Sequence, residues 1–169
     1  MQLVGLDSVH VGEPLPKGVK DSGATALIAA FTKIKQPLTG GITFNFSNPS
    51  SNKWYREGEA DPFESQRDPS SGSKELSWNV VDFDEETLNF YFGTTEPAEG
   101  KLYEGEKAFA FDSKSGSTLV FACLKYTATL GGSLNSSDPL QIQVVADVLA
   151  PSEGGVAWAP IPTPTYTEE

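Results

Sequence analysis

Asp82, Asp84, Glu85 and Glu86 place four carboxylates within five residues, inside the stretch "VVDFDEETLNFYFG" from Val80 to Gly93. Such a cluster can bind a hard cation, serve as a general acid and base, or start a helix. A calcium loop of the EF-hand type beginning at Asp82 needs glycine at its sixth position and a carboxylate at its twelfth. Thr87 and Gly93 stand there instead, which excludes that loop. Glycoside hydrolysis needs two carboxyl groups facing each other about 5–9.5 Å apart across a cleft, and neighbours on one helical turn define no cleft. Capping accounts for the pattern. Asp82 can accept a hydrogen bond from a first-turn amide, with Glu85 reaching back three residues later. The other acids then lie at the positive end of the helix dipole, and Gly93 ends the helix. The expectation is a helix over 83–92, capped by Asp82 and Glu85, whose face of Leu88, Tyr91 and Phe92 must dock elsewhere because so short a helix is unstable alone.

The remaining chemistry is sparse. His10 is the single histidine, so any Ser-His-Asp or Cys-His arrangement would have to use it. Cys123 is the single thiol, which excludes an internal disulfide and a multi-cysteine metal site. Its place in "TLVFACLKY" reads as a small buried hydrophobe. Neither a phosphate-cradling nor a dinucleotide glycine pattern is found. Asn45 and Asn135 match the glycosylation acceptor pattern, a chance match in the absence of a secretion leader. No catalytic residue, cofactor or metal ligand emerges, and the chain reads as a non-enzyme.

Composition agrees with that restraint. The 23 Asp and Glu against 12 Lys and Arg give a formal net charge of -11, and such a surface repels nucleic acid and anionic lipid. A length of 169 residues is that of one domain with a real core. No stretch is long and apolar enough to cross a bilayer, and the chain reads as soluble and made in a cytoplasm.

The elements that must position these residues are strands. Ile42, Phe44 and Phe46 alternate with polar residues, as do Leu76, Trp78 and Val80, and again Leu140, Ile142, Val144 and Ala146. "EKAFAFD" is a further strand. From Thr118 to Ala128 both faces are apolar, which predicts a central strand covered on both sides. "TALIAAFTKIKQPL" fits either period and is read as strand. "LVGLDSVHVGEPL" gives short strands broken by glycine and stopped by proline. Gly131 with Gly132, and "NSSDP" before Leu140, suit strand reversals.

Two segments exceed what a self-contained domain needs. A long polar loop over 48–74 carries Trp54, Tyr55, Arg56, Phe63 and Arg67, the residue types that anchor interfaces. Residues 151–169 form a proline-rich arm with Trp158, Ile161 and Tyr166, which cannot enter a central strand and must lie along its own domain or a neighbour. The division expected is a β domain over 1–150 followed by an extended arm.

The succession "LVGLDSVHVG", "PLTGGITFNFS", a long loop, "KELSWNVVDFDEETLNFYFGTT" and "STLVFACLKYTATLGGSLNSSDPLQIQVVADVLA" resembles the tail tube (major tail) proteins of long-tailed bacteriophages, from Gly40 to Ala150. The resemblance implies an antiparallel β-sandwich or barrel with one packed helix. It implies hexameric rings stacked into a non-catalytic tube for DNA, the loop tying rings together and the arm reaching adjacent subunits. The implied partners are copies of itself, the tape measure, tail terminator and distal tail proteins, and double-stranded DNA passing without specific binding. The implied location is the virion tail. Two other classes fit the residues alone: a carbohydrate-binding β-sandwich using Trp54 and Tyr55 as a stacking platform, and an enzyme using scattered carboxylates.

Overall fold

The doubly apolar run becomes the longest strand of the chain. A computed structural model describes residues 5–35, 42–46, 51–67, 73–97, 103–131 and 141–167. In chain order these hold β1 (Leu6–Gly12), α1 (Ala24–Ala29), β2 (Thr32–Ile34), β3 (Thr43–Phe46), β4 (Ser51–Trp54), β5 (Glu64–Arg67), β6 (Lys74–Val80), α2 (Glu85–Phe92), β7 (Tyr103–Ser113), β8 (Ser117–Gly131), β9 (Gln141–Val148) and β10 (Trp158–Pro162). All strand pairs are antiparallel. The main sheet runs β2-β1-β7-β8-β9-β6-β3, with β10 also paired to β8, while β4 and β5 form a separate two-stranded sheet.

β8 is interrupted once, and the interruption organises both cores. Lys107 pairs with Leu124 and Phe109 with Phe121, so Ala108 faces two residues of β8, Ala122 and Cys123. This is a β-bulge, and an extra residue reverses which side chains point to which face. Before it Phe121 enters the larger core while Val120 and Ala122 enter the smaller; after it Leu124, Tyr126 and Ala128 enter the larger. β7 is sorted in the same way, Phe109 and Phe111 to one face and Ala108 and Ala110 to the other. Trp78 of β6 meets Phe109 and Phe111 edge-on at 5.6 and 6.0 Å between ring centroids. Strands that distant in the sheet order can touch only if the sheet folds over on itself, giving the two layers of a β-sandwich. Tyr91 and Phe92 of α2 complete the larger core.

The smaller core lies on the other face of β7 and β8, covered by Leu15, Val19, Ala24, Ile28 and Phe31. Here the ambiguous stretch resolves against the strand reading. Ala24, Ile28 and Phe31 are buried while Leu27 is 52% exposed, a spacing of four and three that belongs to a helical face rather than to alternation. The stretch is therefore α1 followed by the short β2.

The expected long loop is not structureless. It holds the β4–β5 hairpin, in which Ser51 pairs with Arg67 and Trp54 with Glu64. Its strands lack an apolar alternation because neither face is covered, which leaves no period to read. Residues 48–50 and 68–72 lie outside the described residues, as do the expected turns at Gly132 and 135–139 and the sequon at Asn135.

The expected arm is likewise part of the sheet. β10 lies along β8 from Trp158 opposite Phe121 to Pro162 opposite Ser117, taking the half of that edge which β9 leaves beyond Leu124. The ladder is set by Ala122 N–H donating to Ala157 C=O at 2.8 Å and Thr163 N–H to Gly116 C=O at 3.1 Å. With bonded positions alternating from those two, the nitrogens of Pro160 and Pro162 point away from β8. That is how a strand with proline at every second residue keeps its pairing. Among the described residues no helix is long and apolar enough to cross a membrane.

Replacing Cys123 by Ala should cost about 1 kcal/mol, the usual size of a small core change. Deleting Cys123 should cost more, because it straightens the strand and, although Phe121, Leu124 and Tyr126 keep one face, it removes the carbonyl that accepts from Leu149 N–H and shifts the backbone that holds Leu15 and Ala157. Thermal unfolding followed by circular dichroism checks this, and a deletion as stable as Cys123→Ala would show that the bulge is dispensable.

Candidate functional site

The acidic cluster does start a helix, but two residues later than the sequence suggests. α2 begins at Glu85, and its N-cap is Asp84, whose extended backbone (φ -73, ψ 161) lets its carboxylate accept from Thr87 N–H at 3.0 Å. Asp82 and Glu85 are therefore not the capping pair. Asp82 lies in the extended segment before the helix and Glu85 is already its first residue, so neither meets the geometry of an N-cap with its third-position partner. Hydrogen bonding from Thr87 holds the Asp84 carboxyl below the usual carboxylate range. The Thr87 hydroxyl is near enough to add to that effect, yet it makes no hydrogen bond of good geometry itself. Gly93 closes the helix at φ 69, as expected. Among the described residues no three His, Cys, Asp or Glu side chains form a group able to hold a metal ion.

The densest polar chemistry lies elsewhere, around Asp112. Its Oδ2 accepts from Ser8 Oγ at 2.8 Å and from His10 Nδ1 at 2.7 Å; its Oδ1 accepts from Thr118 Oγ1 at 2.6 Å and from Tyr166 Oη at 2.7 Å. With its proton on Asp112, Thr118 accepts from Thr163 Oγ1 at 3.0 Å. The Tyr166 ring lies flat on His10, 3.5 Å between centroids. Ser8, His10, Asp112 and Thr118 are all buried. A serine, the only histidine and an aspartate thus meet, in the wrong order for nucleophilic catalysis. The Ser8 hydroxyl spends its proton on the carboxylate, where a nucleophile would point its oxygen at the free nitrogen of the imidazole. The arrangement is a tie between β1, β7, β8 and the C-terminal segment.

Electrostatics agrees with a tie. Burial lowers the His10 pKa from 6.5, against the opposing pull of Asp112, so the ring is neutral at neutral pH and donates through Nδ1–H. Burial and then Asp112 push the Tyr166 phenol upward, keeping it a donor. Sequence reasoning missed this cluster because Ser8 and His10 are 104 and 102 residues from Asp112. One signal was available: in "AFAFD" the alternation places Asp112 on the buried face of Ala108 and Ala110.

The interface residues anticipated from sequence divide into two groups. Trp54, Tyr55 and Phe63 on the hairpin are 43%, 53% and 54% exposed, and the Arg56 guanidinium sits 5.1 Å from the centre of the Phe63 ring. Arg67 ends β5. Those on the arm are engaged within their own chain. Trp158 stacks on Phe121 and meets Phe46 edge-on at 6.1 and 5.5 Å, Ile161 packs on the smaller core, and Tyr166 is tied to Asp112. Pairing with β8 and the buried carboxylate thus engage all three within their own chain, each still partly exposed.

A cleft of about 510 Å³ opens between β2 and α2, lined by Val11, Gly12 and Glu13 of the β1 end, by 32–35, by Glu86, Thr87, Phe90 and Tyr91, and by Lys107. Lys107 Nζ donates to Glu13 Oε1 at 2.7 Å, and Lys35 Nζ lies 3.8 Å from Asp84 Oδ2. No protein-family model and no curated protein matches the chain.

Asp84→Ala should lower the unfolding midpoint, whereas Asp82→Ala should stay within about 0.5 kcal/mol of the parent. The Asp84 contribution is present above the unfolded pKa and lost as acid titrates the folded carboxyl, so the two variants should converge at low pH; urea titrations across pH read this. Asp112→Ala should cost at least about 1–3 kcal/mol, the penalty for one buried donor left unpaired, since it strands the donors of Ser8, His10, Thr118 and Tyr166, and Tyr166→Phe about 1.5–3 kcal/mol, as for a hydrogen bond to a charged group. Because folding lowers the His10 pKa, its contribution holds above 6.5 and is lost as pH falls through the folded value. A His10→Gln variant with an unchanged slope of stability against pH below 6.5 would contradict this.

Proposed function

We propose that this chain is a structural subunit of a bacteriophage tail tube, assembling with copies of itself into stacked, hexameric rings that conduct DNA. The observation carrying the proposal is the hairpin. β4 and β5 stand as a sheet of their own with Trp54, Tyr55 and Phe63 uncovered, and exposed aromatics with an arginine are what subunit interfaces are anchored by. The fold supports it too, being an antiparallel β-sandwich with a short helix docked by aromatic residues. The chemistry present is spent on holding the chain together: the acids of α2 cap it, and the carboxylate, imidazole and hydroxyls around Asp112 satisfy one another. A net charge of -11 suits a conduit, since a carboxylate-rich wall repels phosphates over a screening length of about 8–10 Å.

A carbohydrate-binding module draws less support. Trp54 and Tyr55 are adjacent at the end of a strand, and successive residues of extended chain point to opposite faces, so they do not form one flat platform.

Electron microscopy and sedimentation of the purified protein test the proposal. Stacked rings or tubules are expected, and replacing 51–67 by a short Gly/Ser linker should abolish stacking while circular dichroism remains that of a folded domain, because closing the loop costs little. A parent protein that stays monomeric at all concentrations would overturn the proposal.

A further inference from the structure

The Asp112 cluster joins four segments whose other supports are unequal. β1 pairs with β7 from Leu6 to Gly12, and β7 with β8 along most of its length, so those three stay together without any side-chain bond. Residues 163–167 have no such ladder. Among the described residues their backbone is bonded at its two ends, Thr163 N–H to Gly116 C=O at 3.1 Å and Thr167 N–H to Ala29 C=O at 2.8 Å. Between those ends the anchor is Tyr166, whose hydroxyl donates to Asp112 and whose ring lies 3.5 Å above His10 with 3° between the planes. A segment with few backbone bonds opens before the sheet it lies on.

We propose that residues 163–167 are a proton-operated latch: protonation of His10 lifts Tyr166 from the Asp112 cluster while the sandwich stays folded. His10 is 5% exposed, and the Tyr166 ring covers it. The groups facing it are Asp112 of β7, Tyr166 of the latch and Lys33 of β2, which stands opposite it in the β1–β2 ladder; α1, beneath the latch end at Ala29, carries no titratable side chain. An imidazolium in this place is favoured by Asp112 but opposed by its enclosure and by the Lys33 cation, and enclosure is the largest effect. Raising the Tyr166 ring returns the imidazole to water, so the open form takes up a proton more readily than the closed one. Opening uncovers the Asp112 carboxylate, withdraws Tyr166 from the smaller core and frees the Ala29 carbonyl. β10 remains in place, since its own pairs with β8 run from Trp158 to Pro162. The latch is independent of the assembly reading given above.

Amide hydrogen exchange of the full chain between pH 7 and pH 5, followed by NMR and divided by the free-peptide rate at each pH, tests the latch. Protection of the Thr167 amide should fall by up to about tenfold per pH unit below 6.5, the slope for uptake of one proton, and level off at the closed-state pKa of His10. Amides in the β7–β8 ladder should keep their protection over the same range. His10→Gln retains a donor for Asp112 but does not titrate, and should hold Thr167 protection flat. Tyr166→Ala should leave Thr167 unprotected at both ends of the range and let the His10 imidazole titrate closer to 6.5. Thr167 protection in the parent that is independent of pH, or lost in step with the β7–β8 ladder, would overturn the latch, as would a His10→Gln variant that responds like the parent. An unchanged His10 titration in Tyr166→Ala would do so as well, whether or not His10→Gln folds.

Discussion

The bulge at Ala122 and Cys123 is the constraint on which the rest of the structure depends. Three segments hydrogen-bond to the backbone of those two residues: Leu15 N–H donates to Ala122 C=O at 2.9 Å, Ala122 N–H to Ala157 C=O at 2.8 Å, and Leu149 N–H to Cys123 C=O at 3.0 Å. The first carries the cover of the smaller core, the second starts β10 and the third ends β9. By turning β8 over, the bulge also lets one strand offer Phe121 and Tyr126 to the same core although their spacing is odd.

Two kinds of polar chemistry are separated in space and in purpose. The carboxylate of Asp112 is enclosed and fully subscribed, with four donors fixing the C-terminal segment against β1, β7 and β8. The cost of breaking such a set lies mainly in the groups left unpaired, which makes it a device for holding one arrangement of one chain. The ion pairs around the β2 cleft are longer or partly exposed, as with Lys35 and Asp84 at 3.8 Å. Exposed pairs of that kind contribute little to stability.

What the sequence disclosed follows from which forces are local. Alternation in β6, β9 and the Thr118–Ala128 run was legible because each of those strands buries a whole face. The Ala24–Phe31 stretch was not, since Leu27, Ile28 and Phe31 fit two periods and only tertiary burial of Ala24 and Ile28, with Leu27 left outside, decides between them. The cap was displaced from Asp82 to Asp84 because both aspartates in "DFDEE" are competent caps, and where the helix begins is set by the docking of Tyr91 and Phe92. The hairpin carried exposed aromatic residues without a period to mark its strands. The Asp112 tie was invisible because its partners are a hundred residues away, though a charge in step with buried alanines was a clue.

The prolines of β10 bear on a hazard that any sheet-rich chain meets at high concentration. Pro160 and Pro162 remove the amide donors at two of the positions of this strand that face away from β8, so a strand approaching from solvent finds carbonyls but few hydrogens to bond. A flat edge there would template indiscriminate sheet growth, the route to fibrous aggregates while newly made copies are crowded together. With that side blunted, spontaneous growth by strand addition is directed to the ends of the main sheet and to the hairpin, the edges left open among the described residues.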